Sequence, residues 1–281
     1  MKSHEITGSG GVLLHAVETG NPLWQSILFV HGISQNWLSW RAQLDSELQD
    51  EFRLVAVDLR GHGMSDKPDD GSYADSKVWA DDVNAIIESL DLRSPILCGW
   101  SYGPLVILDY IRHYGEDAIG GMAFLGGVTK LGSEDAVTVL TNEFLSLIPG
   151  FFSTDVQESS SAMESLIRLC FTNELAEEDL YRMLGYNLVV PPYVRQAMLS
   201  RALDNDDLLH RLRKPLLIIQ GSADKIVRVR AAEEIKSAVK HATLVVMNGA
   251  GHALSTEEPA KYNARLRDFA LGTMASAASA D

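Results

Sequence analysis

Apolar residues in this chain fall into two patterns that take turns. Short unbroken runs at 27–30, 54–57, 95–98, 119–125, 216–220 and 243–247 are each followed within two residues by Gly, Asp or Asn. They lack the apolar–polar alternation of a half-exposed strand, as expected of parallel strands covered on both faces. Between them, the spacing predicts helices over 36–48, 76–90, 102–114, 229–240 and 257–271. Strand, helix, strand repeated in this way predicts a mostly parallel, doubly wound α/β sheet with right-handed crossovers.

The rhythm stops between 128 and 213, where helical stretches at 135–147, 161–170, 176–186 and 192–204 follow one another without an intervening strand. That interval is too long for a plain loop in a compact domain. It reads as a helical cap, 128–213, inserted after the sixth strand and lying over the open end of the sheet. Residues 1–127 and 214–271 then form the core, and the Ala/Ser-rich tail, 272–281, is expected to fray.

Composition narrows the function classes. The chain has 281 residues, 46% of them hydrophobic and 22% charged, an ordinary globular balance. A net charge of −14 repels a phosphate backbone, so nucleic acid is not an expected partner. The apolar runs are too short to span a bilayer, and residues 1–11 are polar and Gly-rich, without the apolar segment of a secretory signal. The two cysteines, Cys98 and Cys170, do not make a disulfide framework, so a reducing, cytoplasmic setting is expected. No metal-ligand spacing or phosphate loop occurs, and Gly8, Gly10 and Gly11 precede a strand rather than follow one. Neither cofactor nor metal is expected.

The candidate chemistry begins at Gly99-Trp100-Ser101-Tyr102-Gly103, a G-x-S-x-G pentapeptide between an apolar run and a helical one. A serine at a tight strand-to-helix turn is lifted above the sheet and faces the positive end of the following helix. A hydroxyl needs a base, commonly a histidine oriented by a carboxylate. His252 closes a Gly-rich turn after the last strand, where open α/β sheets gather ligands. Asp224 follows the 216–220 run by a short turn and lies between serine and histidine in sequence. Its rivals Asp204, Asp206 and Asp207 form a charge cluster at the end of the cap, and Gly126-Gly127 leaves the 119–125 run without an acid.

The order Ser101, Asp224, His252, with Val30-His31-Gly32, the stretch from Asp58 through Arg60-Gly61-His62-Gly63 to Ser65, and Gly249-Ala250-Gly251-His252, resembles the α/β-hydrolase superfamily. Within it, the chain is similar to capped serine carboxylesterases and to the cofactor-free haloperoxidase-like (perhydrolase) and lactonase members. The resemblance implies a Ser101–His252–Asp224 triad and an oxyanion hole made by the backbone N–H groups of Ile33 and Tyr102. It places His31, Gly32 and Trp100 at the substrate. His62 is expected to shape the loop after 54–57, with Asp58 and Arg60 pairing there or bonding to backbone; His15 and His113 are expected to pack. Trp37 and Trp40 line a pocket or simply pack. Phe144, Leu147, Ile148, Phe151 and Phe152 form either the contact between cap and core or a lid over an apolar acyl pocket.

The implied activity is hydrolysis of a small carboxylic ester through an acyl-enzyme, without cofactor. Lactone opening, perhydrolysis, amide hydrolysis and carbon–carbon bond hydrolysis use the same apparatus, and some proteins of this fold are slow-turnover small-molecule receptors. Haloalkane dehalogenases and epoxide hydrolases of this fold carry an aspartate nucleophile, whereas position 101 is serine.

Overall fold

The computed structural model describes residues 1–278. Its main sheet contains β1 (Lys2–Thr7), β2 (Leu13–Thr19), β3 (Ser26–Val30), β4 (Arg53–Asp58), β5 (Ile96–Trp100) and β6 (Gly121–Leu125). After a segment that holds the two-stranded sheet of β7 (Lys130–Leu131) and β8 (Leu203–Asp204) come β9 (Leu216–Gly221) and β10 (Thr243–Met247). The strand order is β1-β2-β4-β3-β5-β6-β9-β10. β1 and β2 join antiparallel; from β4 onward all neighbours are parallel.

Every residue of β3, β4, β5, β6 and β9 is buried. Each Val, Leu, Ile or Phe so covered contributes about 1.5–3 kcal/mol, so these strands hold the frame. β1 was not predicted. It alternates exposed polar residues around one buried Ile6 and pairs along its length with β2, so its position rests on tertiary pairing rather than on an apolar run.

Helices cover both faces. The helix Ser76–Ser89 starts at Asp75, whose side chain accepts from the Lys77 N–H. The helix Gly103–Tyr114 carries Pro104 in its first turn and stops at Gly115, φ +77°. The helix expected over 36–48 is broken into the 3₁₀ turn Trp37–Trp40, the helix Arg41–Leu44 and the 3₁₀ turn Glu47–Asp50. Ser46 causes the second break: its hydroxyl donates to Gln43 O and accepts from Leu48 N–H, competing with the helical ladder. The last helix runs Pro259–Ala278 and takes in residues 272–278 of the tail expected to fray; alanine is the strongest helix former. Residues 279–281 of that expectation lie outside the described residues.

Between β6 and β9 lie the helices Glu134–Thr138, Asn142–Phe152, Val156–Cys170, Glu177–Leu188, Pro192–Leu199 and Asp206–Leu209. The helix expected over 135–147 is two helices, because 139–141 pairs with the segment after Asp224. Leu140 bridges to Val227, Arg228 N–H donates to Val139 O, and Thr141 N–H donates to Ile226 O.

Candidate active site

The strand order reverses around β3, which has β4 on one side and β5 on the other. The chain therefore leaves these strands in opposite directions, opening a crevice at their carboxyl ends. Ser101 follows β5 there and Gly32–Ile33 follow β3. β9 and β10 end in register, Gly221 opposite Met247, and deliver Asp224 and His252 to the same edge.

Ser101 has φ +58°, a left-handed conformation costing about 1–3 kcal/mol for a residue with a side chain. Its neighbours explain why it is held. Its N–H donates to Leu125 O at 2.9 Å and its carbonyl accepts from Val128 N–H at 3.1 Å. A Cβ at Gly103 would lie 2.4 Å from Val30 O, and one at Gly99 would lie 2.7 Å from Pro104 N. Both glycines are thus required by contact between the elbow and its own helix and neighbouring strand. A Cβ at Gly32 would lie 2.9 Å from the Ser101 Cβ, so the loop after β3 rides directly over the serine.

His252 and Asp224 form a buried pair, Nδ1 to Oδ2 at 2.8 Å, with side chains 2% and 1% exposed. The carboxylate is fully engaged. Its Oδ1 accepts from Ile226 N–H at 2.7 Å and Val227 N–H at 2.9 Å, and its Oδ2 also accepts from Gln220 Nε2 at 2.8 Å. An Nδ1 that donates to Asp224 leaves the imidazole lone pair on Nε2, the tautomer a general base needs. Trp100 Nε1 donates to His252 O at 3.0 Å and its ring lies 5.5 Å from the imidazole. His252 and Ser101 line one cleft, without a direct hydrogen bond from Ser101 Oγ among the described residues. Such bonds are often loose before substrate arrives.

The amides of Ile33 and Tyr102 donate to no protein acceptor among the described residues. They flank Ser101, and both residues line the cavity that opens on it.

Three spaces meet here. An apolar cavity of about 230 Å³ is lined by Ser101, Leu131, Phe144, Ile148, Phe152 and Val227. A second, of about 240 Å³, is lined by Trp100, Cys170, Phe171, Met183 and Tyr186, with exposed Arg41 and Arg182 among its walls. A cleft of about 10 Å³ holds Gly32, Ser101 and His252 and shares Trp100 and Cys170 with one cavity, Ile33 and Phe144 with the other. Phe144, Ile148 and Phe152 therefore face the cavity, while Phe151 is 0% exposed core.

One expectation is corrected: His31 does not reach this space. It is fully buried, its Nδ1–H donates to Gly32 O at 2.7 Å, and its Nε2 accepts from Leu59 N–H at 3.0 Å. It braces the loop over the serine. His62 does the same one layer away, donating to Arg60 O and accepting from Ser34 N–H. Of the two alternatives for Asp58 and Arg60, the structure has the bonds to backbone rather than a mutual pair: Asp58 takes Trp37 N–H and Met64 N–H, besides His15 Nδ1, and Arg60 donates to Ser9 O while Asp82 holds its guanidinium. Trp40 is core. Gly126 and Gln220 were missed. Gly126, φ +51°, leaves room under the pair, since a Cβ there would lie 3.1 Å from His252 Nδ1. Gln220 was marked by being the one long polar side chain in β9.

Burial pushes the His31 pKa down to about 4 and that of His62 well below its ordinary value of 6.5. An imidazole kept neutral in the fold takes up a proton on unfolding. The stability His31 contributes is thus fully present above pH 6.5 and is lost as pH falls from there toward about 4. The loss is on the order of 3 kcal/mol for that one group, at about 1.4 kcal/mol per unit. Urea melts between pH 7 and 4 should show this slope reduced in a folded His31→Gln variant; an unchanged slope would show that His31 is not its source.

The α/β hydrolase family profile matches residues 27–265. In structure the chain is similar to a putative aryl esterase from Burkholderia cenocepacia, TM-score 0.91 at 30% identity, covering 98% of this chain and all 100% of that one. It is also similar to an esterase from Rhodococcus sp. ECU1013, TM-score 0.90 at 31% identity over 96% and 98% of the two chains. In sequence it is 28% identical to the AB hydrolase superfamily protein YisY of Bacillus subtilis over 95% of this chain and 98% of the relative. Epoxide hydrolase 1 of Caenorhabditis elegans is 27% identical over 92% of this chain and 68% of its own length. The chain belongs to the α/β hydrolase family.

Proposed function

We propose that this protein is a serine hydrolase of small carboxylic esters. The observation that carries the reading is Ser101, held in a strained elbow between two unpaired backbone amides at the mouth of an apolar cavity. In this mechanism Ser101 Oγ attacks the ester carbonyl while His252 Nε2 takes its proton. Asp224 fixes the imidazole and stabilises its charged form. The Ile33 and Tyr102 amides receive the oxyanion, each such donor being worth about 3 kcal/mol of barrier. His252 then protonates the leaving alcohol, and afterwards activates the water that releases the acid. The serine at position 101 speaks against epoxide opening through an aspartyl ester, whatever the likeness to the nematode enzyme.

The acyl group is assigned to the cavity lined by Phe144, Ile148 and Phe152 and the alcohol to the Trp100 side. Cavities of about 230 and 240 Å³ suit halves smaller than typical ligand sites of about 300–1,000 Å³. Two buried free thiols fit a reducing compartment, and no helix among the described residues is long and apolar enough to cross a membrane.

The test is a panel of p-nitrophenyl esters from acetate to dodecanoate, with lactones and anilides alongside. Ester turnover is expected, with an acyl adduct on Ser101 in the mass spectrum and an optimum at short to medium chains. Ile148→Trp should move that optimum to acetate, lowering kcat/KM for the longer ester about tenfold or more through steric exclusion. A wild-type protein that turns over no ester, or acylates elsewhere, would end the reading.

A further inference from the structure

Tyr102 has two ends. Its amide follows Ser101 and donates to no protein acceptor among the described residues, while its phenol is buried in a network that belongs mostly to the helices between β6 and β9. Tyr102 Oη donates to Met198 O at 3.2 Å and accepts from Arg201 Nη1 at 3.2 Å. Arg201 Nη2 in turn donates to Asp109 Oδ2 at 2.7 Å, with both side chains almost wholly buried, 1% and 3% exposed. The guanidinium lies 5.7 Å over the ring of Trp79, and its Nε–H has no partner among the described residues. Burial pushes the Asp109 carboxyl up to about 6 against the pull of Arg201. A buried pair with an orphaned donor is poor value as a stabilising device, which invites a role in placement.

Arg201 is anchored close to the acyl cavity. Leu199 and Ser200 line that cavity, as do Lys130, Leu131 and Gly132. The antiparallel β7–β8 pair ties these two segments together, and a Cβ at Gly132 would lie 2.7 Å from Arg201 O. Asp109 sits within the helix that starts at Gly103. One guanidinium thus connects the cavity wall, the elbow helix and the residue that supplies an oxyanion donor.

We propose that Arg201 is a positioning residue that aims the Tyr102 amide at the reacting carbonyl, with Asp109 as its countercharge and the cavity wall as its support. The inference rests on the hydrolase reading above. Arg201 touches no substrate. It fixes the phenol, and the phenol fixes the rotation of the short peptide unit whose N–H the transition state uses. Substrate and transition state differ in their demand on that donor, so the effect falls on kcat rather than on KM.

The experiment compares wild type with Tyr102→Phe, Arg201→Lys and Asp109→Asn. Circular dichroism and stoichiometric labelling of Ser101 by an organophosphate report the folded, competent fraction. Per labelled site, kcat should fall about tenfold or more, since a donor misplaced by a fraction of an ångström weakens as a partial loss of the oxyanion hole. KM should stay within twofold. Affinity for a trifluoromethyl ketone, which forms a tetrahedral oxyanion on the serine, should fall by the same factor as kcat/KM, while affinity for the product acid stays unchanged. Tyr102→Phe removes only one oxygen and decides the matter if the charge variants do not fold. Variants with kcat per site within twofold of wild type, or with ketone and product acid weakened alike, would overturn the inference and leave the hydrolase reading standing. Wild-type protein that takes no label at Ser101 would overturn both.

Discussion

Ser101→Ala is expected to lower ester kcat by about 10⁶-fold, the scale seen when a triad serine is removed, without loss of the fold. The structure says why the second half should hold. Among the described residues Ser101 Oγ bonds to no protein group, so the variant leaves no orphaned partner there. Alanine at φ +58° carries the same backbone strain as serine. Ser101→Gly should be equally inactive but more stable by about 1 kcal/mol, because glycine enters the left-handed region freely. A thermal melt beside a single-turnover assay checks both. Residual activity near wild type in a folded Ala variant would remove the serine from the chemistry. A glycine variant no more stable than alanine would show that the elbow is not strained as its φ implies.

The frame was legible wherever burial acts on both faces of an element. β3, β4, β5, β6 and β9 read as unbroken apolar runs because helices cover them above and below. β1 and the interrupted 36–48 segment were not legible for the opposite reason. One is a half-exposed edge fixed by its partner's backbone; the other is decided by single hydroxyls and amides that cap short turns. At the site, Ser101, Asp224 and His252 sit just past strand ends, so sequence order and turn signals were enough to place them at one edge of the sheet. The residues that hold those side chains have no such rule. His31 sits next to the serine's loop in sequence, yet only the Gly32 and Leu59 backbone contacts reveal a brace rather than a substrate contact. Gly126 marks an absence of volume, and Arg201 is brought in from a segment far along the chain. The sequence grouped Phe144, Ile148 and Phe151 in one apolar patch alike; packing put the first two at the cavity and the third in the core.

Asp224→Asn should lower kcat by about 10⁴-fold, less than loss of the serine but still severe, although it only exchanges one carboxylate oxygen for an NH₂ group of the same shape. The carboxylate accepts four hydrogen bonds and donates none. An asparagine has one acceptor oxygen to place. If that oxygen takes the Ile226 and Val227 N–H groups, its NH₂ faces the Gln220 amide and His252 Nδ1. The imidazole then accepts at Nδ1 and carries its proton on Nε2, aimed at Ser101, where it cannot act as base. Gln220 can ease its own clash by turning its amide, since Oε1 is buried without a partner among the described residues; doing so gives up the Nε2 bonds to Val227 O and Gly221 O. The fold has a way to accommodate asparagine and the chemistry has none. A melting temperature close to wild type, with kcat down by four orders and Ser101 labelling by organophosphate slowed in parallel, is the expected result. A variant that keeps its rate would mean that the Asp224–His252 contact orients nothing the reaction uses.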